Sequence, residues 1–260
     1  MNNNWYYIGT GQFGYPQPAD DFGYMELTYE PNVGCPTCNI GISQKNPFRF
    51  KSEPKAKHSQ FLGLNWVFDQ IFVRESVKTE FDKNGITGIR FSRPIFDKSE
   101  KELETVYQLH VDTILPIALI GDNLITEKCE YPTDKELLEF LKANGSKLIE
   151  GPFCDGLKYN FPQGQKMIFD IEAFQNQPDF VRTYEWFGSG GSANRPILIS
   201  EKAKNLIELN KWRGAFIEEI ELTEKKHVLP TTYKNNGGNF AETKAINSNK
   251  VWSKLKNLWS

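Results

Sequence analysis

Two closely spaced cysteines are the most specific chemical signal in the chain. Cys35 and Cys38 are separated only by Pro36-Thr37 and are followed directly by Asn39. Cysteines at this spacing in a turn can place both thiolates on one tetrahedral metal ion. The residue after the second cysteine often needs a positive φ, which glycine adopts most easily and asparagine next. The segment therefore predicts a zinc knuckle.

A closed zinc site needs two further ligands, and the chain has four cysteines in all. The other two, Cys129 and Cys154, are separated by 24 residues rather than two. We predict a structural zinc site formed by all four cysteines, or by Cys35, Cys38 and Cys154 with a histidine. The alternative is that the thiols are buried or left over without a metal. A redox role fits less well, because a redox Cys-x-x-Cys motif normally opens a helix beside a βαβ unit.

Two glycine-rich segments are similar to phosphate-binding loops but lack the helix that such loops require. Gly9–Gly14 matches the dinucleotide-binding pattern, yet it runs into Tyr15-Pro16-Gln17-Pro18 instead of a helix N-terminus. Gly188–Ser192 precedes a strand that begins at Pro196, so its glycines are expected to shape a flexible loop. We therefore reject dinucleotide binding at the first segment and expect no phosphate cradle at the second.

Groups that could catalyse a reaction are scattered along the sequence. His58, His110 and His227 lie in unrelated contexts, without a metalloprotease or nucleophile-elbow pattern. We therefore expect that the chain is not an enzyme. A hydrolase is an alternative, to be judged by whether a cleft gathers His110 with carboxylates.

An acidic segment and a loop are the candidates for contact with a partner. The segment Glu218-Glu219-Ile220-Glu221 predicts the solvent face of a strand, or an acidic patch for a basic partner. Exposed loops and unlike charges commonly guide protein partners, although both features can also be merely solvated. The predicted partner-binding residues are Gly188, Ser189, Gly190, Gly191, Ser192, Glu218, Glu219 and Glu221.

The composition is that of an ordinary globular protein. Hydrophobic residues make up 39% of the 260 residues, charged residues make up 25%, and the mean hydropathy is −0.53. The net charge of −2 argues against a nucleic-acid-binding surface, which usually has a basic excess. The start of the chain lacks a signal segment, and no run of about 18 apolar residues is present. We expect a cytoplasmic protein without a membrane partner.

Two segments share a strand-helix-strand pattern, 126 residues apart. The first has a helix over Glu75–Lys83, and the second has a helix from Ser200 to Lys211 with Ser200 as its N-cap. Each helix follows an apolar strand and precedes a strand that begins after a glycine, and Ile71 aligns with Ile197 without gaps. We predict two related units on one continuous sheet or on two abutting sheets, with chance similarity as the alternative.

The remaining patterns indicate the α+β class. Trp5–Ile8 and Tyr24–Tyr29 alternate large and polar residues, as strands do. Thr133–Glu136 matches a capping box and predicts a helix that ends at Asn144-Gly145. The expected architecture is two strand-helix-strand units on a mixed, mainly antiparallel sheet, with a zinc-knuckle-like insertion.

The domain division follows from these elements. Residues 1–125 are expected to hold the cysteine knuckle and the first strand-helix-strand unit, and residues 126–222 the second unit. After Leu222 the chain becomes rich in Lys, Asn, Thr and Gly, which predicts a flexible tail over residues 223–260. Its end, Val251–Trp259, could form a short amphipathic helix.

Three segments together resemble the bacterial double-CXXCG-motif family: the knuckle Cys35–Cys38 after an N-terminal strand, Cys154-Asp155-Gly156, and Thr183–Gly188. Members of that family are associated with immunity proteins of polymorphic toxin systems, which neutralise a cognate toxin in the producing cell. Arg195–Leu222 also resembles the strand-helix-Gly-strand ending of several immunity families. The resemblance spans residues 5 to 222 and implies a protein that binds and blocks a toxin domain stoichiometrically.

The chain departs from that motif pattern at two positions. Asn39 replaces the glycine of the first motif, and Gly151 stands where the second motif has its leading cysteine. A zinc-ribbon-like regulatory or nucleic-acid-binding adaptor is an alternative function. That alternative requires a basic, aromatic-lined face, which the overall composition does not favour.

Overall fold

The fold is taken from a computed structural model that describes residues 4–55, 58–122, 124–130, 152–162 and 164–226, and also Glu139, Lys142 and Ala143. It confirms the α+β class with mixed, mainly antiparallel sheets. The helices with defined bounds are α1 (Tyr24–Thr28), α2 (Glu75–Lys83) and α3 (Glu201–Leu209), with 3-10 turns at Asp20–Phe22 and Ile171–Phe174. The strands are β1 (Trp5–Thr10), β2 (Gln12–Gly14), β3 (Arg49–Phe50), β4 (Phe61–Leu64), β5 (Val67–Arg74), β6 (Ile89–Ser92), β7 (Ile95–Phe96), β8 (Val106–Val111), β9 (Thr126–Lys128), β10 (Leu157–Tyr159), β11 (Ile168–Asp170), β12 (Phe180–Arg182), β13 (Trp186–Phe187), β14 (Ile197–Ser200), β15 (Ala215–Glu219) and β16 (Glu221–Thr223).

The first sheet is built around one strand-helix-strand unit. Its strand order is β2-β4-β5-β8-β6, and α2 connects β5 to β6 across β8. Because β8 is antiparallel to both neighbours, β5 and β6 are parallel, and the chain needs a crossover helix to join them. Val77 and Phe81 are the buried residues of α2, and their four-residue spacing places both on one side of the helix.

The second sheet repeats this arrangement. Its strand order is β12-β14-β1-β15, and α3 connects β14 to β15 across β1, which is antiparallel to both. Ser200 is the N-cap that the sequence predicts, since its hydroxyl accepts a hydrogen bond from the Ala203 N–H at 3.2 Å. The central strand β1 comes from the N-terminal end of the chain, so the first unit supplies a strand to the sheet of the second.

The strand pairing and the helix ends of the two units match. Ile71 lies opposite Leu109 in the first sheet, and Ile197 lies opposite Ile8 in the second. The helix ends also match: the side-chain amide of Asn84 donates to the Glu80 carbonyl at 2.8 Å, and that of Asn210 donates to the Leu206 carbonyl at 2.9 Å. The predicted repeat is therefore present as two abutting sheets.

The two units contact each other through reciprocal turns. The Phe180 N–H on β12 donates to the Thr87 carbonyl at 3.2 Å, and the Phe61 N–H on β4 donates to the Arg213 carbonyl at 3.0 Å. Gly88 and Gly214 follow these carbonyls with φ of 81° and 96°. A Cβ at Gly88 would lie 2.3 Å from the Phe180 carbonyl oxygen, and a Cβ at Gly214 would lie 2.0 Å from the Phe61 oxygen. Only glycine allows this close approach of backbones.

Three apolar clusters hold the layers together. The central cluster lies between the two units and takes buried side chains from both sheets and from α2 and α3. A second cluster covers the outer face of the first sheet with residues from α1, from β3 and from the segment just before β3, including Tyr24, Phe48 and Phe50. A third cluster covers the outer face of the second sheet, where Trp5 and Leu198 pack against the chain that carries β10, β11 and β13. That outer layer leads directly to the cysteines.

The predicted strand at Tyr24–Tyr29 is wrong, because residues Tyr24–Thr28 form α1. The Tyr29 N–H donates to the Met25 carbonyl at 3.0 Å, as in a helix. Tyr24 and Thr28 are the buried pair. Their spacing of four residues fits one face of a helix, but the large residues between them also fit the alternation of a strand.

Some predicted elements lie outside the described residues. They include almost all of the tail and most of the helix predicted from Thr133, of which Glu139, Lys142 and Ala143 are described and are helical. Of the tail, Thr223 ends β16, and Lys226 pairs with Glu172 at 2.5 Å. In the described part of the chain, no helix has both the length and the apolar character that a membrane crossing requires.

Candidate metal centre

All four cysteine sulfurs meet at one point of the outer layer. The Cys35 and Cys129 sulfurs are 3.7 Å apart, the Cys38 and Cys154 sulfurs are 3.6 Å apart, and all four lie within 4.8 Å of one another. No disulfide is formed. A tetrahedral ion with metal–sulfur bonds of about 2.3 Å places its sulfurs about 3.8 Å apart. The spacing therefore fits one tetrahedral ion.

The first pair of cysteines sits on a turn that closes on itself. The Cys35 N–H donates to the Ile40 carbonyl and the Asn39 N–H donates to the Cys35 carbonyl, both at 2.8 Å. Asn39 has φ of 62°, the positive value that its position after the knuckle predicts. Gly34 has φ of 84°, and a Cβ there would lie 2.5 Å from the Ile42 nitrogen. Local backbone geometry thus positions both sulfurs.

The second pair is positioned by strand pairing instead of by a short turn. β9 and β10 are antiparallel neighbours, and Cys129 follows β9 while Cys154 precedes β10. The Cys129 N–H donates to the Gly156 carbonyl at 2.8 Å, and the Asp155 N–H donates to the Cys129 carbonyl at 3.0 Å. The two cysteines therefore lie at the same end of one ladder, and the 24 residues between them do not separate them in space.

Hydrogen bonds and burial shift the pKa values of the four cysteine thiols. Hydrogen bonding, above all with Cys129, lowers the pKa of Cys35 and raises the pKa of Cys38. Hydrogen bonding with Cys129 also lowers the pKa of Cys154, to which the Gly156 N–H donates at 3.4 Å. Both shifts towards a lower pKa, at Cys35 and Cys154, stabilise the thiolate relative to that of a free cysteine. A metal ion would displace the remaining protons, because it binds the thiolate form.

The cluster offers four sulfur ligands and is surrounded by apolar side chains. Among the described residues the cluster contains only the four cysteines, without a histidine or a carboxylate. Ile40, Phe153, Trp186 and Ala193 pack against it. Four sulfurs in a tetrahedron bind zinc or iron in proteins, and four protein ligands leave no position for a substrate. The arrangement suits a metal that stabilises the fold.

The glycine-rich loop that the sequence predicts as a partner site is held by residues next to the cysteines. The Asn39 side-chain amide donates to the Gly191 carbonyl at 2.6 Å. The Lys158 ammonium donates to the Gly190 carbonyl at 2.5 Å, and the Glu127 carboxylate accepts from the Gly190 N–H at 2.9 Å. Ser189 and Gly190 are exposed, while Gly188, Gly191 and Ser192 are half-buried.

Lys158 and Glu127 are site residues that sequence reasoning missed. The Lys158 side chain is fully buried, and its ammonium lies 3.0 Å from the Glu127 carboxylate. The two residues face each other across β10 and β9. A lysine in a strand normally points to solvent, so only the pairing of these two strands identifies it.

The predicted acidic residues lie on a different edge of the molecule. Glu218 and Glu219 are exposed on β15, the edge strand of the second sheet, and Glu221 is exposed at the start of β16. Glu219 forms an ion pair with Lys166. The structure therefore does not join the acidic residues and the glycine-rich loop into one patch around the cysteines. Beside Glu218 lies a groove of about 640 Å³.

His110, the histidine on which a hydrolase would depend, pairs with a serine. Its Nε2 lies 2.6 Å from the Ser92 hydroxyl. The nearby Asp112 carboxylate is bound by the Arg90 guanidinium at 2.6 Å and 3.1 Å. Burial, and next the charge of Arg90, lower the pKa of His110 to about 4. Among the described contacts His110 has no carboxylate hydrogen-bond partner.

Comparison of the chain with protein-family models and with curated proteins found no match in either set.

Proposed function

We propose that the four cysteines hold one structural zinc ion, and that the chain is an immunity-type protein that binds and neutralises a bacterial toxin domain. The observation that carries the first part is the sulfur geometry. Separations of 3.6 Å and 3.7 Å suit the tetrahedral radius of zinc. All four ligands come from the protein and leave no open position for a substrate. The ion therefore has a structural role and not a catalytic one.

Support for the binding role comes from the residues around the zinc site. Cys35–Cys38, Cys154–Gly156 and Thr183–Gly188 carry the resemblance to immunity proteins, and these segments meet in the outer layer. Cys129 supplies the fourth sulfur, in place of the leading cysteine that the second motif lacks. The thiols stay reduced in the cytoplasm, where an immunity protein acts.

The zinc proposal is tested by the metal content of the purified protein. We compare the wild type with the variant Cys35→Ser, Cys38→Ser, and with Thr37→Ser as a control inside the same knuckle. We expect one zinc per chain in the wild type and in Thr37→Ser, and none in the double variant. The double variant should also lose about 10 °C or more in Tm. A wild-type protein without metal, equal in Tm to the double variant, would reject the site.

The immunity proposal is tested by co-expression with candidate toxin domains, chosen from the genes that neighbour the gene of this chain. The wild-type chain should restore growth and elute with the toxin as a one-to-one complex in size-exclusion chromatography. Glu218→Lys should weaken both effects, and Glu75→Lys, an exposed charge reversal on α2, should leave them unchanged. Growth that the wild type does not restore, together with separate elution of the two proteins, would refute the proposal.

A further inference from the structure

Three aromatic rings form the walls of the groove beside β15. The groove opens between the outer face of the second sheet and residues 161–162 and 164–167. The Tyr7 ring centroid lies 5.6 Å from that of Phe161 and 5.8 Å from that of Phe216. Phe161 and Phe216 are 37% and 46% exposed, although both are large apolar residues. Exposed apolar surface gathered in a concave site is typical of a binding surface.

The position of Phe216 is fixed by a glycine on the neighbouring strand. Gly9 lies opposite Phe216 in the pairing of β1 with β15. A Cβ at Gly9 would lie 2.0 Å from the Phe216 ring, so the ring rests directly on the Gly9 backbone. The Phe216 ring is therefore held against the sheet while part of it stays exposed, so this wall of the groove is in place before any ligand arrives.

The groove contains one carboxylate that is open to a cation. Glu218 lies opposite Tyr7 on the same face as Phe216 and forms no ion pair among the described residues. Glu219 is engaged by Lys166, which lines the same groove. Burial, and next the charge of Glu218, raise the pKa of Tyr7 to about 12, so the phenol stays neutral. The groove thus combines neutral rings with a net negative charge.

The backbone beside the groove can receive an extended segment. Among the described residues, β15 pairs with β1 on one side and is the last strand of its sheet. An edge strand presents unpaired N–H and carbonyl groups, to which a partner strand can add. The volume of about 640 Å³ lies within the range of sites that hold small ligands or side chains.

We propose that this groove receives an arginine side chain carried by an extended segment of a partner protein. A guanidinium ion stacks on aromatic rings and binds a carboxylate through two parallel hydrogen bonds, so it satisfies the rings and Glu218 together. An anionic side chain would be repelled by Glu218, and an apolar one would bury that carboxylate without a partner. This inference rests on the proposed partner-binding function and names the chemistry that the partner must present.

The test uses the full-length protein and a small peptide probe. Acetyl-Gly-Arg-Gly-amide is titrated while the backbone amide NMR signals of Phe216–Glu219 are followed. The same peptide with citrulline, which keeps the shape but lacks the charge, is the matched ligand control. We expect saturable shifts with the arginine peptide, binding about tenfold weaker with citrulline, and intermediate binding with lysine.

Two protein variants locate the binding. Glu218→Gln should weaken the arginine peptide about fivefold, because it removes one partly screened ion pair. Glu221→Gln removes the same charge from outside the groove and should change the affinity less than about twofold. Equal binding of arginine and citrulline peptides, equal effects of the two variants, or no shift at Phe216–Glu219 would overturn the inference.

The experiments distinguish a failure of the arginine-binding proposal from a failure of the immunity proposal. A peptide that binds as expected, with no toxin complex formed, would leave the groove chemistry in place and reject the immunity role. A toxin complex that forms equally with Glu218→Gln and with the wild type would reject the groove as the contact site.

Discussion

At the scale of single residues, Lys158 joins the glycine-rich loop to β9 and β10, the two strands beside the cysteines. Its side chain has no exposed surface, and its ammonium contacts the Gly190 carbonyl at 2.5 Å and the Glu127 carboxylate at 3.0 Å. A buried charge is costly unless its partners are all present. The ordered conformation of the loop therefore depends on the buried charge of Lys158, which lies on β10.

Replacing this lysine should destabilise the fold and loosen the loop. Lys158→Met keeps most of the side-chain volume but removes the ammonium donor of the Gly190 and Ser192 carbonyls and the ion-pair partner of Glu127. We therefore expect a loss of about 2 to 3 kcal/mol in unfolding free energy. Lys166→Met is the matched control, because its ion pair with Glu219 is exposed and should contribute about 0.5 kcal/mol. Urea denaturation measures both. Equal losses would show that burial of Lys158 has no energetic role.

His110 makes stability depend on pH. Its pKa falls from the usual 6.5 to about 4, because the ring is buried and Arg90 and Arg182 lie near it, although Asp112 opposes them. Between pH 6.5 and pH 4 the unfolded chain therefore binds a proton that the folded chain does not. Stability from this residue is present above pH 6.5 and is lost as the pH falls towards 4.

The pH effect is measured by comparing His110→Gln with the wild type. Glutamine can still bond with Ser92 but does not titrate in this range. The wild type should lose about 1 to 2 kcal/mol more than the variant between pH 7 and pH 4.5, after allowance for partial exposure of the ring. Parallel stability curves of the two proteins over this range would contradict the assignment.

At the scale of elements, the reciprocal turns at Gly88 and Gly214 join the two units. Gly88→Ala and Gly214→Ala should each destabilise the protein by about 3 kcal/mol or more, because the new Cβ would meet a carbonyl oxygen of the other unit. Gly85→Ala is the control: its φ is 58°, but a Cβ there meets nothing within 4 Å. It should cost about 1 kcal/mol, from the positive φ alone. Thermal unfolding of the three variants gives the comparison.

Local patterns explain which elements the sequence could predict. The two strand-helix-strand units follow from apolar strands, helix spacing and turn glycines, all of which lie within about twenty residues. The central strands of the two sheets, β8 and β1, come from elsewhere in the chain. Local alternation predicts a strand at Trp5–Ile8, but no local signal places β1 or β8 between the strands of a unit. Tyr24–Tyr29 fits both a strand and a helix, and its packing against Phe48 and Phe50 selects the helix.

As with the fold, the parts of the candidate site that depend on local sequence could be predicted, and the parts that depend on distant segments could not. The turn at Cys35–Cys38 could be predicted from the two-residue spacing of its cysteines and from Asn39, which can adopt the positive φ that follows such a turn. The second pair is brought together by the β9–β10 ladder, so the separation of Cys129 from Cys154 in sequence carried no information about distance. Lys158 was not predictable, because its burial depends on the loop that folds over it from residues 188–192.

At the scale of the whole molecule, the four cysteines and the main core belong to separate clusters of buried residues. The central cluster between the two units draws on both sheets and on α2 and α3, and it contains no cysteine. The cysteines belong to a small cluster of their own, with Ile40, Phe153, Trp186 and Ala193 around them. Because a cluster of that size buries little apolar surface, we expect its order to depend on the proposed metal ion.

Metal removal should therefore unfold one layer and leave the other intact. On treatment with a zinc chelator, we expect the amides of Cys35, Asn39, Cys129 and Asp155 to exchange with solvent at least about tenfold faster. Amides of Val73 and Ile199, in the strands of the central cluster, should keep their protection. The variant Cys35→Ser, Cys38→Ser should reproduce this pattern without chelator. Faster exchange at Val73 and Ile199 as well would show that the protein unfolds as one cooperative body, and unchanged exchange everywhere would show that the cysteine layer is stable without metal.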